Sequence, residues 1–569
     1  MVERLVRELN IPPLPARIIA SRGVVEPDAA SRFILATLAD LHDPFLLPGM
    51  GKAVARLAAA VHAGEKVCVY GDYDVDGVTA VALLIDFFRV IGLDNTFYYI
   101  PRRLEEGYGL SAEGVANVAA QEARIILTVD CGINSVAEAK LCSYLGIDLI
   151  ITDHHMPGEI IPPAFAVINP LEPGSPFPFK YLAGVGVAYN LMIALRARLR
   201  EEGYFAGRDE PNLRAYLDLV ALGTVADIVP LVDENRIFVK YGLREMTTSR
   251  RIGVQALKEV SGVNGEVSCG AVGFRLAPRL NAAGRLEDAA LGVELLLCGD
   301  RQRAKAMAAE LDASNSERQA LEQAILRDAL AMVKNTPLLS QRRSIVLASE
   351  EWHPGVIGIV ASRIVDLFHR PTILIALQDG NGRGSGRSIP SFHLHDALNA
   401  CSEHLLKFGG HKYAAGLSIE ESTLTAFIES FDEMASGLLS PDDLIPELMI
   451  DAVLQPEEIS YELAEAIGAL APFGMGNPEP VFMLEKARVA DCRVIKERHL
   501  KLRLTAGEQN LDAIGFNLAE GRDLPEDVTL AFSLRINDGN GRKSVQLRVK
   551  DIKAAGESAL TKDASRDAR

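Results

Sequence analysis

The 569 residues contain no CxxC pair, a single tryptophan and no uninterrupted run of 18 apolar residues. Each absence excludes something. Without a long apolar run, no transmembrane helix is indicated. Seven dispersed cysteines, at 68, 131, 142, 269, 298, 401 and 492, form neither a zinc ribbon nor a disulfide frame and read as reduced thiols. Cys131, in VDCGI, is the one thiol near acidic residues and the candidate nucleophile among them. The opening MVERLVRELNIPPLPARI lacks a basic segment leading into an apolar one, so it does not read as a secretory signal. A cytoplasmic location with no membrane partner is expected. Positive charge is also short: 59 Lys and Arg against 76 Asp and Glu leave a net charge of −17. That sum disfavours a general nucleic-acid coat. It is compatible with a carboxylate-lined metal site and local basic patches.

What is present is the patterning of a large α/β protein of several domains. Residues 1–47 read as a helical arm interrupted by Pro12, Pro13 and Pro15. Across 48–299, short β-branched runs such as KVCVY, RIILTVD and DLIITD alternate with amphipathic stretches, which implies βαβ units and a parallel sheet. Residues 300–334 contain neither Gly nor Pro and read as one long connecting helix. A second α/β domain is expected over 335–445. Short alternating strands over 446–555 suit a small β-barrel, and 556–569 read as a disordered tail. Trp352 is expected in a core.

One stretch demands explanation. VYGDYDVDGVTA places Asp72, Asp74 and Asp76 within five positions after an apolar run. An EF-hand loop fits the opening D-x-D-x-D-G, but its twelfth position is Leu83, where a bidentate Glu is needed. A haloacid-dehalogenase-type phosphatase fits DVDGV, but its nucleophile stands directly at a strand end, whereas GDY intervenes before Asp74. A divalent-metal site gains support from residues further along the chain. The next strands run into Asp130 and into Asp153, His154 and His155, and Asp227 lies in the apolar setting GTVADIVPL. Ligands of open parallel sheets bind beyond the carboxyl ends of the strands. Oxygen and imidazole donors there suit Mn²⁺ or Mg²⁺, and two such ions can clamp a phosphoryl displacement. A strand-end Asp can equally be a helix cap or turn residue.

DYDVDG, TVDCGI, TDHH and GTVADIVPL resemble, in order, the four motifs of the DHH phosphoesterases. IPRRLEEGYGLS, PRLNAAGRLEDA, EWHPGVIGIVASRI, RGSGRS, FGGHKYAAG and LAPFGMGNPEPVF resemble its single-strand-specific bacterial exonucleases. The resemblance implies a DHH catalytic domain over 48–299, a DHHA1 domain over 335–445 and an OB fold over 446–555. It implies that Asp74, Asp76, Asp130, His154 and Asp227 hold two Mn²⁺ or Mg²⁺ ions, with Asp130 bridging. His155 would contact the scissile phosphate, with Asp72 assisting. Arg103, Arg279, Ser385 and Arg387 would hold phosphates, the terminal 5′ phosphate among them. Gly409, Gly410 and His411 would bind substrate. Some family members carry a His four residues before the position of Asp74. Tyr70 stands there instead, which implies a weaker site for one metal. Arg493, Lys496, Arg498, His499, Lys501 and Arg503 would line a track for single strands on an aromatic-poor barrel.

The expected activity is 5′→3′ hydrolysis of single-stranded DNA to mononucleotides, in repair and recombination. A single-stranded DNA-binding protein and a repair helicase are the partners implied, for a monomeric enzyme. Two other functions are compatible with the family: cleavage of short oligoribonucleotides or cyclic dinucleotides, and a non-catalytic replication scaffold. The long barrel weighs against the first, and the retained carboxylates against the second.

Overall fold

The computed structural model describes residues 1–102, 106–107, 109–286, 288–519, 524–539 and 542–556. The expected tail lies, from 557 onward, outside the described residues. Among the described residues no helix is long and apolar enough to cross a membrane.

The first domain is built on five parallel strands: β1 (Val67–Tyr70), β2 (Thr96–Tyr99), β3 (Ile125–Val129), β4 (Asp148–Thr152) and β5 (Ala166–Ile168). Their order is β2-β1-β3-β4-β5. β1 and β3 are buried throughout because both faces of the sheet are covered. Val67, Val69, Ile125 and Leu127 face a core shared with the helices Met50–Ala63, Val75–Val90 and Gly184–Glu201. Cys68, Tyr70, Ile126 and Ile151 face a second core under the helices Ala112–Ala119 and Val136–Tyr144. The chain winds outward on either side of β1. The crevice beyond the carboxyl ends of β1 and β3 is therefore the topological switch point, where such sheets bind ligands.

A helix of 35 residues, Arg301–Asn335, leaves this domain. Ala304, Met307, Ala308 and Leu311 belong to the first core, while Ile325 and Ala329 belong to the next. At 1.5 Å per residue it spans about 50 Å. The second sheet contains β6 (Ile345–Ser349), β7 (Thr372–Gln378), β8 (Asn381–Arg387), β9 (Lys407–Gly410) and β10 (Ala414–Glu420), in the order β6-β7-β8-β10-β9. Trp352 is buried beside it, its Nε1 donating to Asp328 at 2.7 Å.

The third sheet contains β11 (Ala452–Val453), β12 (Phe482–Ile495), β13 (His499–Ala506), β14 (Gln509–Gly515), β15 (Asp527–Gly539) and β16 (Arg542–Ala554). Pairing of β12 with β15 closes it into a barrel. The N-terminal residues do not stand apart as an arm. Helices Val2–Leu9, Pro13–Ser21 and Pro27–Leu35 put Leu5, Ile18, Ile19 and Ala30 into the barrel's own core, with Phe482, Leu530 and Ile552. Pro13 and Pro27 open helices, as their missing N–H allows.

A buried arginine clasps these parts together. Arg236, on the helix Asp233–Thr247, donates to Phe33 O (2.5 Å), Ala471 O (2.9 Å) and Pro472 O (3.3 Å). Its guanidinium lies 4.0 Å from the centroid of the Phe33 ring.

Candidate metal centre

Beyond β1 the chain turns through Asp72 to Asp74, whose side chain caps the helix Val75–Val90 by accepting from Asp76 N (2.9 Å) and Gly77 N (3.1 Å). Asn281 adds a further constraint, its Oδ1 accepting from Val75 N at 3.1 Å. Asp76 is buried and points across to the helix Gly184–Glu201. It accepts from Gly184 N (2.6 Å) and Val185 N (2.9 Å) at that helix's first turn, where the dipole favours an anion. Only glycine permits this approach: a Cβ at Gly184 would fall 2.6 Å from Asp130 Cβ.

Asp130 leaves β3 with φ 61, a left-handed conformation that Asp tolerates better than most residues. Asp153 ends β4 as an organiser. It accepts from Ile133 N (2.9 Å), His154 N (2.7 Å), His155 N (3.1 Å) and His155 Nδ1 (2.7 Å). Asp227 closes the helix Leu217–Ala226 and reaches the same crevice.

Seven predicted residues thus converge in three overlapping groups: Asp72, Asp74 and Asp130; Asp130, His154 and His155; Asp76, His154 and Asp227. Within each group the potential ligand atoms lie within 4.8 Å of one another. His154 Nε2 is 3.1 Å from Asp130 Oδ1 and 3.6 Å from Asp227 Oδ2. Among the described residues, the buried His154 Nε2 and Asp227 Oδ2 make no hydrogen bond. Asp130 and His154 are shared between groups, which suits adjacent ions rather than one.

The electrostatics follow from crowding. Burial, then the charge of Asp74, pushes Asp76 up to about 7. Burial and the neighbouring carboxylates push Asp130 and Asp227 well above the usual range. Burial, then His155, pulls His154 down to about 4, leaving a neutral imidazole with a lone pair to offer. Burial also works against the charged forms of Asp153 and His155. Their mutual hydrogen bond and attraction outweigh it, holding Asp153 below and His155 above their ordinary values. A cluster of this kind is completed by added positive charge.

Tyr70 and Cys131 face away from this chemistry. Tyr70 is fully buried, donates to Gly109 O at 3.3 Å and stacks on Tyr99 with centroids 5.1 Å apart. Cys131 is fully buried and burial pushes its thiol up, so it does not serve as a nucleophile.

The predicted phosphate-binding residues divide. Arg103 lies outside the described residues. Arg279 is ion-paired with Asp312 of the long helix at 2.7 Å. Ser385 and Arg387 form a pair on β8, Arg387 Nη1 donating to Ser385 Oγ at 3.1 Å. They stand against the start of the helix Ile357–Phe368, where a Cβ at Gly358 would meet Ser385 Oγ at 2.8 Å. Across the sheet, Ser385 is in register with Gly416, and Gly416 with Gly409. Arg387 is in register with Ala414, whose carbonyl accepts from His411 N at 2.8 Å. Ser385, Arg387, Gly409 and His411 therefore share one face. Gly410, at φ 141, turns the edge, and a Cβ there would fall 2.5 Å from Ala414 O. Arg285 joins the two domains, donating to Gly355 O at 3.1 Å.

On the barrel, Arg493 lies opposite Lys501, and Arg503 opposite Asp491. Acidic partners break the expected basic track: Arg493 is ion-paired with Asp491 at 3.0 Å. Phe516 adds a half-exposed aromatic that the strand pattern did not single out. His499 packs edge-on to it at 5.3 Å, and the Arg548 guanidinium lies over its ring at 5.3 Å.

Comparison with known proteins extends these observations along the chain. The DHH family N-terminal domain matches residues 66–224, the DHHA1 domain 341–437 and the RecJ OB domain 450–551. The single-stranded-DNA-specific exonuclease RecJ of Salmonella typhimurium is 42% identical, with 95% of this chain and 96% of that protein covered. The crystal structure of RecJ from Thermus thermophilus with Mn²⁺ superposes with a TM-score of 0.82 at 33% identity, covering 97% of this chain and 77% of that one. The Mg²⁺ complex of RecJ from the same organism gives 0.76 at 31% identity, covering 97% and 76%. Similarity of this extent, through all three domains and across the acidic crevice, makes this chain a member of the RecJ family of DHH proteins.

Proposed function

We propose that the protein is a single-strand-specific DNA exonuclease that removes mononucleotides from the 5′ end using two Mn²⁺ or Mg²⁺ ions. The carrying observation is the sharing of Asp130 and His154 among three overlapping ligand groups at the switch point of the parallel sheet. Asp74, Asp76, Asp130, His154 and Asp227 would hold the ions, with Asp72 assisting. Divalent ions held there would neutralise the phosphate and lower the pKa of a bound water. His155, oriented through Nδ1 by Asp153, donates to the scissile phosphate. Asp76 is kept in place by two main-chain amides, so its carboxylate does not swing away when substrate enters.

Ser385 and Arg387, with Gly409, Gly410 and His411, receive the strand's phosphates, and Arg103 and Arg279 contribute to the same path. Arginine forks suit such phosphates. Arg279 reaches substrate by exchanging Asp312 for phosphate. The same reading expects a monomer acting in the cytoplasm in DNA repair and recombination, with a single-stranded DNA-binding protein and a repair helicase as partners.

The test uses single-stranded DNA labelled at either end, with Mn²⁺ and with Asp130→Asn as control. Labelled mononucleotide should appear first from the 5′ label, duplex DNA should resist, and the control should be inactive. Release beginning at the 3′ label, or equal cleavage of duplex, would overturn the reading.

A further inference from the structure

Immediately after Asp227 the backbone is left-handed at a β-branched residue. Ile228 has φ 60, and the residue is 69% exposed. That conformation is an outlier for a branched side chain, and such strain concentrates at functional sites. An isoleucine left in water recovers nothing from burial. Two more large apolar residues are exposed on segments fastened to this loop: Tyr181 at 58% and Met475 at 55%.

The fastening is specific. Buried Asn235 donates from Nδ2 to both Tyr181 O (2.5 Å) and Pro230 O (3.1 Å). Leu231 N donates to Met475 O at 2.7 Å. Tyr181 lies three residues before Gly184, whose N–H donates to Asp76 at 2.6 Å. Three apolar groups from three separate segments are thus carried on backbones interlocked with the loop that follows Asp227. The other candidate substrate and metal contacts are carboxylate, imidazole, guanidinium, hydroxyl and glycine, all suited to metal and phosphate. A nucleotide's remaining large feature is its base, whose flat apolar face every sequence shares.

We propose that Ile228, Tyr181 and Met475 form an apolar wall next to the metal centre and hold the nucleobase adjoining the scissile phosphate. This rests on the exonuclease reading. The wall sets how well the terminal nucleotide is seated without reading its sequence.

The test compares full-length protein with Mn²⁺ on 5′-phosphorylated single strands that carry either ordinary or abasic residues at the two terminal positions. Wild type should show a kcat/KM about tenfold higher on the ordinary strand. Ile228→Gly should lose that preference, slowing on the ordinary strand and not on the abasic one. Its thermal stability should not fall, because glycine adopts the left-handed conformation freely. Tyr181→Ala should behave alike, and Tyr181→Phe should retain the preference. Equal slowing of Ile228→Gly on both strands would show that Asp227 had moved, and would overturn the inference. So would a wild type that cuts both strands equally well. A wild type that cuts neither would instead refute the exonuclease reading itself.

Discussion

Arg236 and Asp130 are equally sealed from water, each 2% exposed, yet their surroundings are opposites. Arg236 meets three main-chain carbonyls and an aromatic face, supplied by the N-terminal helices and by the segment between β11 and β12. Burial lowers its pKa only to about 10, so it stays charged at neutral pH. Asp130 meets other carboxylates, and burial with their charge pushes it well above the usual range. The protein completes one buried charge with its own groups. The other it surrounds with like charges, an arrangement that divalent cations would offset. The first arrangement holds domains together, and the second is the mark of a working site.

The largest effect should come from the Asp130 side. Asp130→Asn keeps the shape and tolerates φ 61. Exonuclease activity should fall by at least about 10³-fold, since metal stabilisation of the transition state amounts to several kcal/mol. In metal-free buffer the same variant should unfold at higher denaturant, by about 1–2 kcal/mol, because Asn has no charge to neutralise on burial among carboxylates. A less stable variant would break the comparison. Arg236→Ala should do the reverse. Stranding buried carbonyls should cost about 3–5 kcal/mol in denaturant unfolding, with Mn²⁺ binding by the folded protein unchanged.

A smaller effect comes from Glu234, on the same helix. Burial pushes it from 4.5 up to about 7, against hydrogen bonds from His42 N (2.7 Å) and Asn190 Nδ2 (3.3 Å). Its folded carboxyl ionises less readily than the unfolded one. Stability from this group is therefore lost as pH rises from about 4.5 to about 7. Glu234→Gln should flatten that slope and add about 1–3 kcal/mol at pH 8, measured by urea unfolding across pH. Smallest should be Lys240→Met, which removes donation to Ile34 O (3.1 Å) and Ala36 O (3.3 Å) at the clasp's edge. A loss of about 1 kcal/mol is expected, visible as earlier proteolysis of the N-terminal helices.

The sequence shows the parallel sheet and its acidic rim because βαβ repetition is a local pattern, and strand ends in such a sheet share one side. Asp72, Asp74, Asp76, Asp130 and the two histidines could be gathered on that ground alone. What tertiary packing supplies was hidden. The amides of Gly184 and Val185, the Asn281 brace and the Arg285 link arrive from distant segments with no spacing rule. Asp153 adjoins its histidines in sequence, but its four hydrogen bonds depend on the turn geometry after β4. The N-terminal helices advertise apolar faces without naming the barrel as their partner. The Asp312 partner of Arg279 likewise comes from the long helix, beyond any local pattern.

The central claim is that Asp130 and its neighbours bind divalent cations. Calorimetric titration of the metal-free full-length protein with Mn²⁺ tests it most directly, with melting temperature followed in parallel. The account predicts about two ions bound, a rise in melting temperature on binding, and fewer ions with little rise for Asp130→Asn. Absence of binding, or identical titrations for the wild type and Asp130→Asn, would contradict it.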